Sequence, residues 1–193
     1  MSGKDKHFPV VLVAPSGAGK TTLCKHLLKR MPEIKYSISA TTRKPRPDEV
    51  HGRDYYFLSK NEFQERIRTG KFCEWAEVYD NLYGTPKEKL TEYLMQGYNV
   101  LLDLDYQGAK TLKNEYPATV SIFILPPSMD ELANRLVKRD KESVETNKRL
   151  NVAKEEITRI KEFDYAVINE NINRTVEKIT AIIVAEECKT KRL

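Results

Sequence analysis

The sequence predicts a three-layer α/β fold built on a parallel sheet, and three observations carry that prediction. Apolar runs at 10–13, 99–104, 119–125 and 164–168 are separated by helix-patterned stretches; strands alternating with helices form a parallel sheet covered on both faces. The first run leads straight into Ala14-Pro15-Ser16-Gly17-Ala18-Gly19-Lys20-Thr21, and an amphipathic segment with Leu23, Leu27 and Leu28 follows. Strand, small-residue loop and helix in that order make a phosphate loop. The run at 99–104 ends in acid, at Asp103 and then Asp105. With 193 residues, 40% of them hydrophobic, the chain can bury one full core and is not a disordered one.

In the loop, Gly17 and Gly19 let successive N–H groups converge on phosphate oxygens at the positive end of the next helix. Lys20 is the point charge for β- and γ-phosphates, and the Thr21 hydroxyl is a magnesium ligand. Ala14 stands where the consensus begins with glycine; its small Cβ suits a strand-like dihedral. Asp103, at the end of an apolar strand, is the carboxylate such a loop needs to hold magnesium through water, which makes it the partner of Thr21.

Pro32 closes the first helix, and 36–39 reads as a short strand. Between Thr42 and Arg53, two prolines, a glycine and four basic side chains mark an irregular loop, the kind of segment on which binding groups concentrate. Ser59 is an N-cap with Glu62 at the capping-box position, opening a helix over 60–68 with Phe63 and Ile67 on one face. Residues 71–79 alternate as a strand that sets Glu74 beside Phe72 and Val78. That carboxylate is either on an exposed face or a buried anion awaiting a partner. Residues 81–86 read as a turn opening a helix over 86–95. A helix near 128–138 and a charged segment near 142–162 carry Arg135, Arg139, Arg149 and Arg159. The last helix, about 174–188, buries Val176, Ile179 and Ile183, and the tail at 189–192 reads as solvated.

The net charge of +5 is modest, and no basic block interleaved with aromatics appears, so it points to a site for several phosphates rather than to nucleic acid. The polar start has no apolar run behind it long enough to read as a signal peptide, and no stretch is expected to span a bilayer. Cys24, Cys73 and Cys188 lie far apart and read as reduced thiols, so the cytoplasm is the expected compartment. His7, His26 and His51 are isolated and read as surface or satisfied histidines rather than ligands or catalysts.

The motifs at 14–21, 36–47 (Tyr-Ser-Ile-Ser-Ala-Thr-Thr-Arg-Lys-Pro-Arg-Pro), 72–76 (Phe-Cys-Glu-Trp-Ala), 83–85 (Tyr-Gly-Thr) and 102–108 (Leu-Asp-Leu-Asp-Tyr-Gln-Gly) closely resemble guanylate kinase, from about residue 8 to about 185. The resemblance implies a nucleoside-monophosphate-kinase-like fold in a single domain. Its core would comprise 8–36, 98–128 and 163–188, with a GMP-binding segment at 37–90 and a mobile lid with its flanking helix at 129–160. It implies magnesium-dependent transfer of the terminal phosphate of ATP to GMP, in purine nucleotide metabolism. By match to the family's motifs, Arg43, Arg46, Tyr55 and Tyr83 would hold the GMP phosphate, while Ser39, Glu74, Thr85 and Asp105 would surround the guanine. ATP would lie on Ala14, Pro15, Ser16, Gly17, Ala18, Gly19, Lys20, Thr21 and Thr22, with Asn169 near the adenine. Lys20, Arg43 and the lid arginines Arg135, Arg139 and Arg149 would act on the transferring phosphate, and Thr21 and Asp103 on the metal. Guanine presents N1–H and a 2-amino group as adjacent donors, which a carboxylate at Glu74 can accept together, whereas adenine leaves it unpaired.

The chain departs from the family at three places. Arg139-Asp140 replaces the usual Arg-Gly, the spacing from Arg135 to Arg149 is a residue short, and Glu170 stands where aspartate is usual. Two other readings are an interaction module that keeps the fold and binds protein, and a kinase for another monophosphate. Gly19, Lys20, Thr21 and Asp103 speak against the first, Glu74 and Ser39 against the second. The expected partners are ATP and GMP, with no nucleic acid and no membrane; monomer and homodimer both remain open.

Overall fold

The computed structural model describes residues 6–78, 80–140 and 144–192. The side chains of Arg139 and Asp140, and the polar start at residues 1–5, lie outside the described set.

The chain begins with β1 (Pro9–Val13), whose five residues are all buried, and α1 (Lys20–Arg30). Next come β2 (Lys35–Tyr36), β3 (Ala40–Thr41), β4 (Tyr56–Phe57), α2 (Lys60–Arg68), β5 (Phe72–Val78), β6 (Asn81–Pro86) and α3 (Lys87–Met95). The remainder is β7 (Val100–Leu104), α4 (Tyr106–Glu115), β8 (Val120–Leu125), α5 (Met129–Asp140), α6 (Val144–Thr158), β9 (Tyr165–Ile168) and α7 (Ile172–Glu187).

The core is a five-stranded sheet in the order β2-β7-β1-β8-β9, every pair parallel. Alternation along β1 divides its side chains between two layers. Val10 and Leu12 pack with Leu23 and Leu27 of α1 and Ile179 and Ile183 of α7. Val11 and Val13 face the other way, onto Leu102, Leu104, Leu112 and Phe123. The register sets Leu12 opposite Asp103, so the acidic end of β7 arrives beside the start of the phosphate loop.

A second sheet, ordered β4-β3-β6-β5, is mostly antiparallel and packs on α2 through Ala40, Phe63 and Phe72. The rings of Phe63 and Phe72 stack at 4.5 Å. The expected capping box of α2 is present: Ser59 Oγ accepts from Glu62 N–H and the Glu62 carboxylate accepts from Ser59 N–H.

Three sequence expectations are corrected. The strand expected over 36–39 ends at Tyr36, because Ser37 still bonds Leu101 whereas the Ser39 carbonyl already accepts from Tyr56; the chain crosses between sheets here. Residues 81–86 are a strand and not a turn. Gly84 had suggested a turn, but its glycine serves packing, since a Cβ there would lie 3.1 Å from the Glu74 carbonyl and from both phenylalanine rings. Nor is the tail wholly solvated.

Arg192 lies 5% exposed. Its guanidinium sits 3.9 Å over the Phe8 ring, 3.3 Å from the Glu186 carboxylate and 3.0 Å from the Ala118 carbonyl. Glu186 also accepts from Tyr165 Oη at 2.5 Å and pairs with Lys189. The C-terminal turn therefore clasps the N-terminal edge of the core sheet. We expect Arg192→Ala to cost about 2 kcal/mol through lost packing and a broken buried pair, lowering the Tm by roughly 4–8 °C. A drop of less than about 1 °C in calorimetry would show that the clasp carries no stability.

Candidate active site

The phosphate loop is shaped by its two glycines. Gly17 and Gly19 have φ of 89° and 93°, values that disfavour any side chain. Each is also crowded: a Cβ on Gly17 would meet Leu136 at 3.0 Å, and one on Gly19 would meet Asn169 Nδ2 at 2.8 Å. Gly19 caps α1 and brings no side chain to bond the first N–H groups at the positive end of that helix. Ala18 packs inward against Leu132, Leu136 and Ala153, so the loop rests on α5 and α6.

Lys20 reaches across to β7. Its Nζ pairs with Asp103 Oδ1 and donates to the Leu104 carbonyl, each at 2.5 Å. Burial opposes the charge on Lys20, but the Asp103 carboxylate more than offsets it and raises the pKa above the ordinary lysine value. The ammonium is permanent at neutral pH.

A cleft of about 760 Å³ opens over the loop. It is lined by Ala14, Pro15, Ser16, Gly17, Gly19, Lys20, Thr21 and Thr22 of the loop, by Asp103 and Asp105, and by Arg46, Arg135 and Arg149. A smaller cavity of about 150 Å³ leads off it, lined by Ser39, Glu74 and Gly84. The two share Lys20, Tyr55, Val78, Tyr83, Asp103 and Asp105. Lys20 thus stands at the junction.

Glu74 resolves the choice left open by the strand pattern. It is 4% exposed, on the buried face, and its Oε1 accepts from the Thr85 hydroxyl at 2.6 Å. A slip in the β5 register between Phe72 and Glu74 lets Cys73 and Glu74 both turn inward. Burial raises the Glu74 pKa to about 7, with Thr85 opposing and Asp105 adding to the rise. Asp105 caps α4, accepting from Gly108 N–H at 2.7 Å.

The basic loop is more ordered than its composition implied. Arg43 is not among the residues lining either cavity. It donates to both oxygens of Glu49 (2.8 and 2.9 Å) and to the Lys44 carbonyl, with its guanidinium 5.5 Å from the Tyr55 ring. Glu49 also accepts from the Arg46 N–H at 2.8 Å, so one carboxylate ties both arginines of the loop. Asn169 is 6% exposed and donates to the Ala18 carbonyl at 2.8 Å, behind the loop. Arg135 faces the cleft while its Nε donates to Glu131 at 2.9 Å.

This geometry has close counterparts. The family model for guanylate kinase matches residues 6–186. The chain is 49% identical over its whole length to guanylate kinase of Caldanaerobacter subterraneus, covering 94% of that protein, and 50% identical over 97% of its length to guanylate kinase of Clostridioides difficile, covering 92%. The chain belongs to the guanylate kinase family. Its structure superposes on the crystal structure of guanylate kinase from Anaplasma phagocytophilum with a TM-score of 0.83 at 36% identity, covering 96% of this chain and 89% of that one.

Sequence reasoning missed several groups in this guanylate kinase cleft. Arg159 lies 4.5 Å over the Tyr106 ring, and Tyr106 Oη donates to Glu162 at 2.6 Å. Glu156, also in the cleft, is pushed up to about 7 by burial, with Lys20 opposing. The segment at 142–162 read only as charged, and nothing local distinguished the residues that turn inward. Glu49, three residues after Arg46, carried a signal that could have been read: a carboxylate inside a basic loop.

The folded protein holds the Glu74 proton more tightly than an unfolded chain does, near the ordinary 4.5. This group's contribution to stability is therefore present below pH 4.5 and is lost as pH rises through about 7. An NMR titration should give a Glu74 midpoint near 7, and Thr85→Val, which removes a donor to the charged form, should move it upward. A midpoint below about 5 in both proteins would refute the burial argument.

Proposed function

We propose that the protein transfers the terminal phosphoryl group of ATP to GMP, giving ADP and GDP. The observation that carries this reading is the shared wall of the two cavities: the large cleft over the phosphate loop meets the small acidic one at Lys20, Tyr55, Tyr83, Asp103 and Asp105. ATP occupies the large cleft with its phosphates on the 14–22 loop. Guanine enters the small cavity, where Glu74 accepts from N1–H and the 2-amino group and Ser39 reaches O6. In this reading residues 37–90 are the GMP-binding segment and 129–160 the lid.

The GMP phosphate then lies between Tyr55, Tyr83 and Arg46, with Arg43 exchanging Glu49 for phosphate oxygens. Its second pKa is near ~6, so at neutral pH an anionic oxygen is already available and no general base is required. The protein's work is to bring two polyanions into line and cancel their repulsion. Lys20 supplies fixed charge where the two meet. Arg135 and Arg149 face the same space from the lid side, and the family's motif adds Arg139. Packing of α5 and α6 onto Ala18 couples the lid to the loop and helps exclude water.

Thr21 and Asp103 offer a hydroxyl and a carboxylate on one cleft, the hard oxygen donors magnesium takes while keeping most of its waters. They fit that ion, which when bound would neutralise charge on the phosphate oxygens. Among the described residues no helix is long and apolar enough to cross a membrane. All the cysteines are free, Cys188 on the surface, which fits work in the reducing cytoplasm.

The decisive experiment is a coupled assay of ADP formation from MgATP with GMP, AMP, dTMP or no acceptor. Turnover with GMP alone is expected and should vanish when the metal is chelated. Folded protein inactive with every acceptor would overturn the reading. Lys20→Ala should lower kcat by about 10³-fold while leaving GMP affinity within about twofold, since the lysine acts where charge is transferred. Loss of GMP binding in calorimetry would instead show that the loop assignment is wrong.

A further inference from the structure

Gly108 closes the motif at 102–108, yet neither the fold nor the reaction described so far accounts for it. It occupies the third position of α4, after the Asp105 cap, and is buried. Its backbone is not among those with positive φ, so no dihedral demands glycine. In a helix, glycine costs about 1 kcal/mol relative to alanine, which makes its presence there unfavourable by local rules.

The explanation is spatial. A Cβ on residue 108 would lie 2.6 Å from Glu74 Oε2, 3.2 Å from Glu74 Cδ and 3.3 Å from Asp105 Oδ1. All three atoms belong to the carboxylates at the small cavity. The 2.6 Å approach is far inside van der Waals contact, so something must move. The crowded atom is the end of a side chain rather than backbone, and the helix itself gains from the methyl. The carboxylate would move and the fold would stay.

We infer that Gly108 is a positioning residue for base recognition: its missing side chain lets the Glu74 carboxylate lie against the first turn of α4, where it meets both guanine donors. This rests on the reading of Glu74 given above. A carboxylate displaced by the methyl loses the geometry in which one group accepts from N1–H and the 2-amino group together, because hydrogen bonds weaken steeply with distance and angle. Selectivity for a purine with a 2-amino group then falls, while phosphate binding is untouched. Inosine monophosphate, which keeps N1–H and O6 but lacks the 2-amino group, isolates that contact.

The test compares wild-type protein, Gly108→Ala, Glu74→Ala and the double variant, each assayed with GMP and with inosine monophosphate, with thermal melts alongside. For Gly108→Ala we expect a GMP kcat/KM at least about tenfold lower, carried mainly by KM, and a GMP-to-inosine-monophosphate preference at least about fivefold smaller. The KM for ATP should stay within about twofold and the Tm should not fall. In the Glu74→Ala background, where the Glu74 carboxylate is no longer there to displace and only the 3.3 Å approach to Asp105 Oδ1 remains, adding Gly108→Ala should change GMP kcat/KM by less than about twofold. An unchanged base preference, or an equal loss in the Glu74→Ala background, would overturn the role of Gly108 alone. Wild-type protein indifferent between the two acceptors would overturn the reading of Glu74 and this inference with it.

Discussion

The ion pair between Lys20 and Asp103 is the contact on which the rest of the site depends. It joins the first turn of α1 to the end of β7, and it exists because the parallel register of β1 and β7 brings Asp103 level with Leu12. The Leu104 carbonyl completes the hold on the ammonium. Burial works against the charge of so enclosed a lysine, and the carboxylate more than offsets it, so the charge is kept at neutral pH. The same pair lines both the large cleft and the small cavity.

A site for two polyanions that also contains Asp103, Asp105, Glu74 and Glu156 is electrostatically costly, and the arrangement manages the cost by position. Glu74 and Glu156 are pushed toward neutrality by burial and are only partly charged near pH 7. Asp103 is paired with Lys20, and Asp105 is bound to the first turn of α4. The positive side is prepared in the same manner. Glu49 pairs with Arg43 and accepts from the Arg46 backbone N–H, which reduces repulsion among the cations of the loop.

Several elements were legible because their causes lie within a few residues. The phosphate loop follows from Gly17, Gly19 and Lys20 after a buried strand, α2 from the Ser59–Glu62 box, and α7 from the spacing of Val176, Ile179 and Ile183. The misread stretches have causes far away in the chain. Gly84 signalled a turn locally, but its neighbours are Phe63, Phe72 and the Glu74 carbonyl. Arg192 ended a polar tail, but Phe8, Ala118 and Glu186 surround it.

The candidate site divides along the same line. From the sequence alone came the kinds of groups and their approximate places: a loop for phosphate, an acidic strand end, paired arginines and a carboxylate on an apolar face. Local propensity and spacing suffice for these, since each is encoded by neighbouring residues. Only the tertiary structure decided the partnerships, such as Glu49 with Arg43, Arg159 over Tyr106, and Glu74 against Gly108. Strand register and packing bring these groups together from separate elements, and no local rule could choose among the charges available.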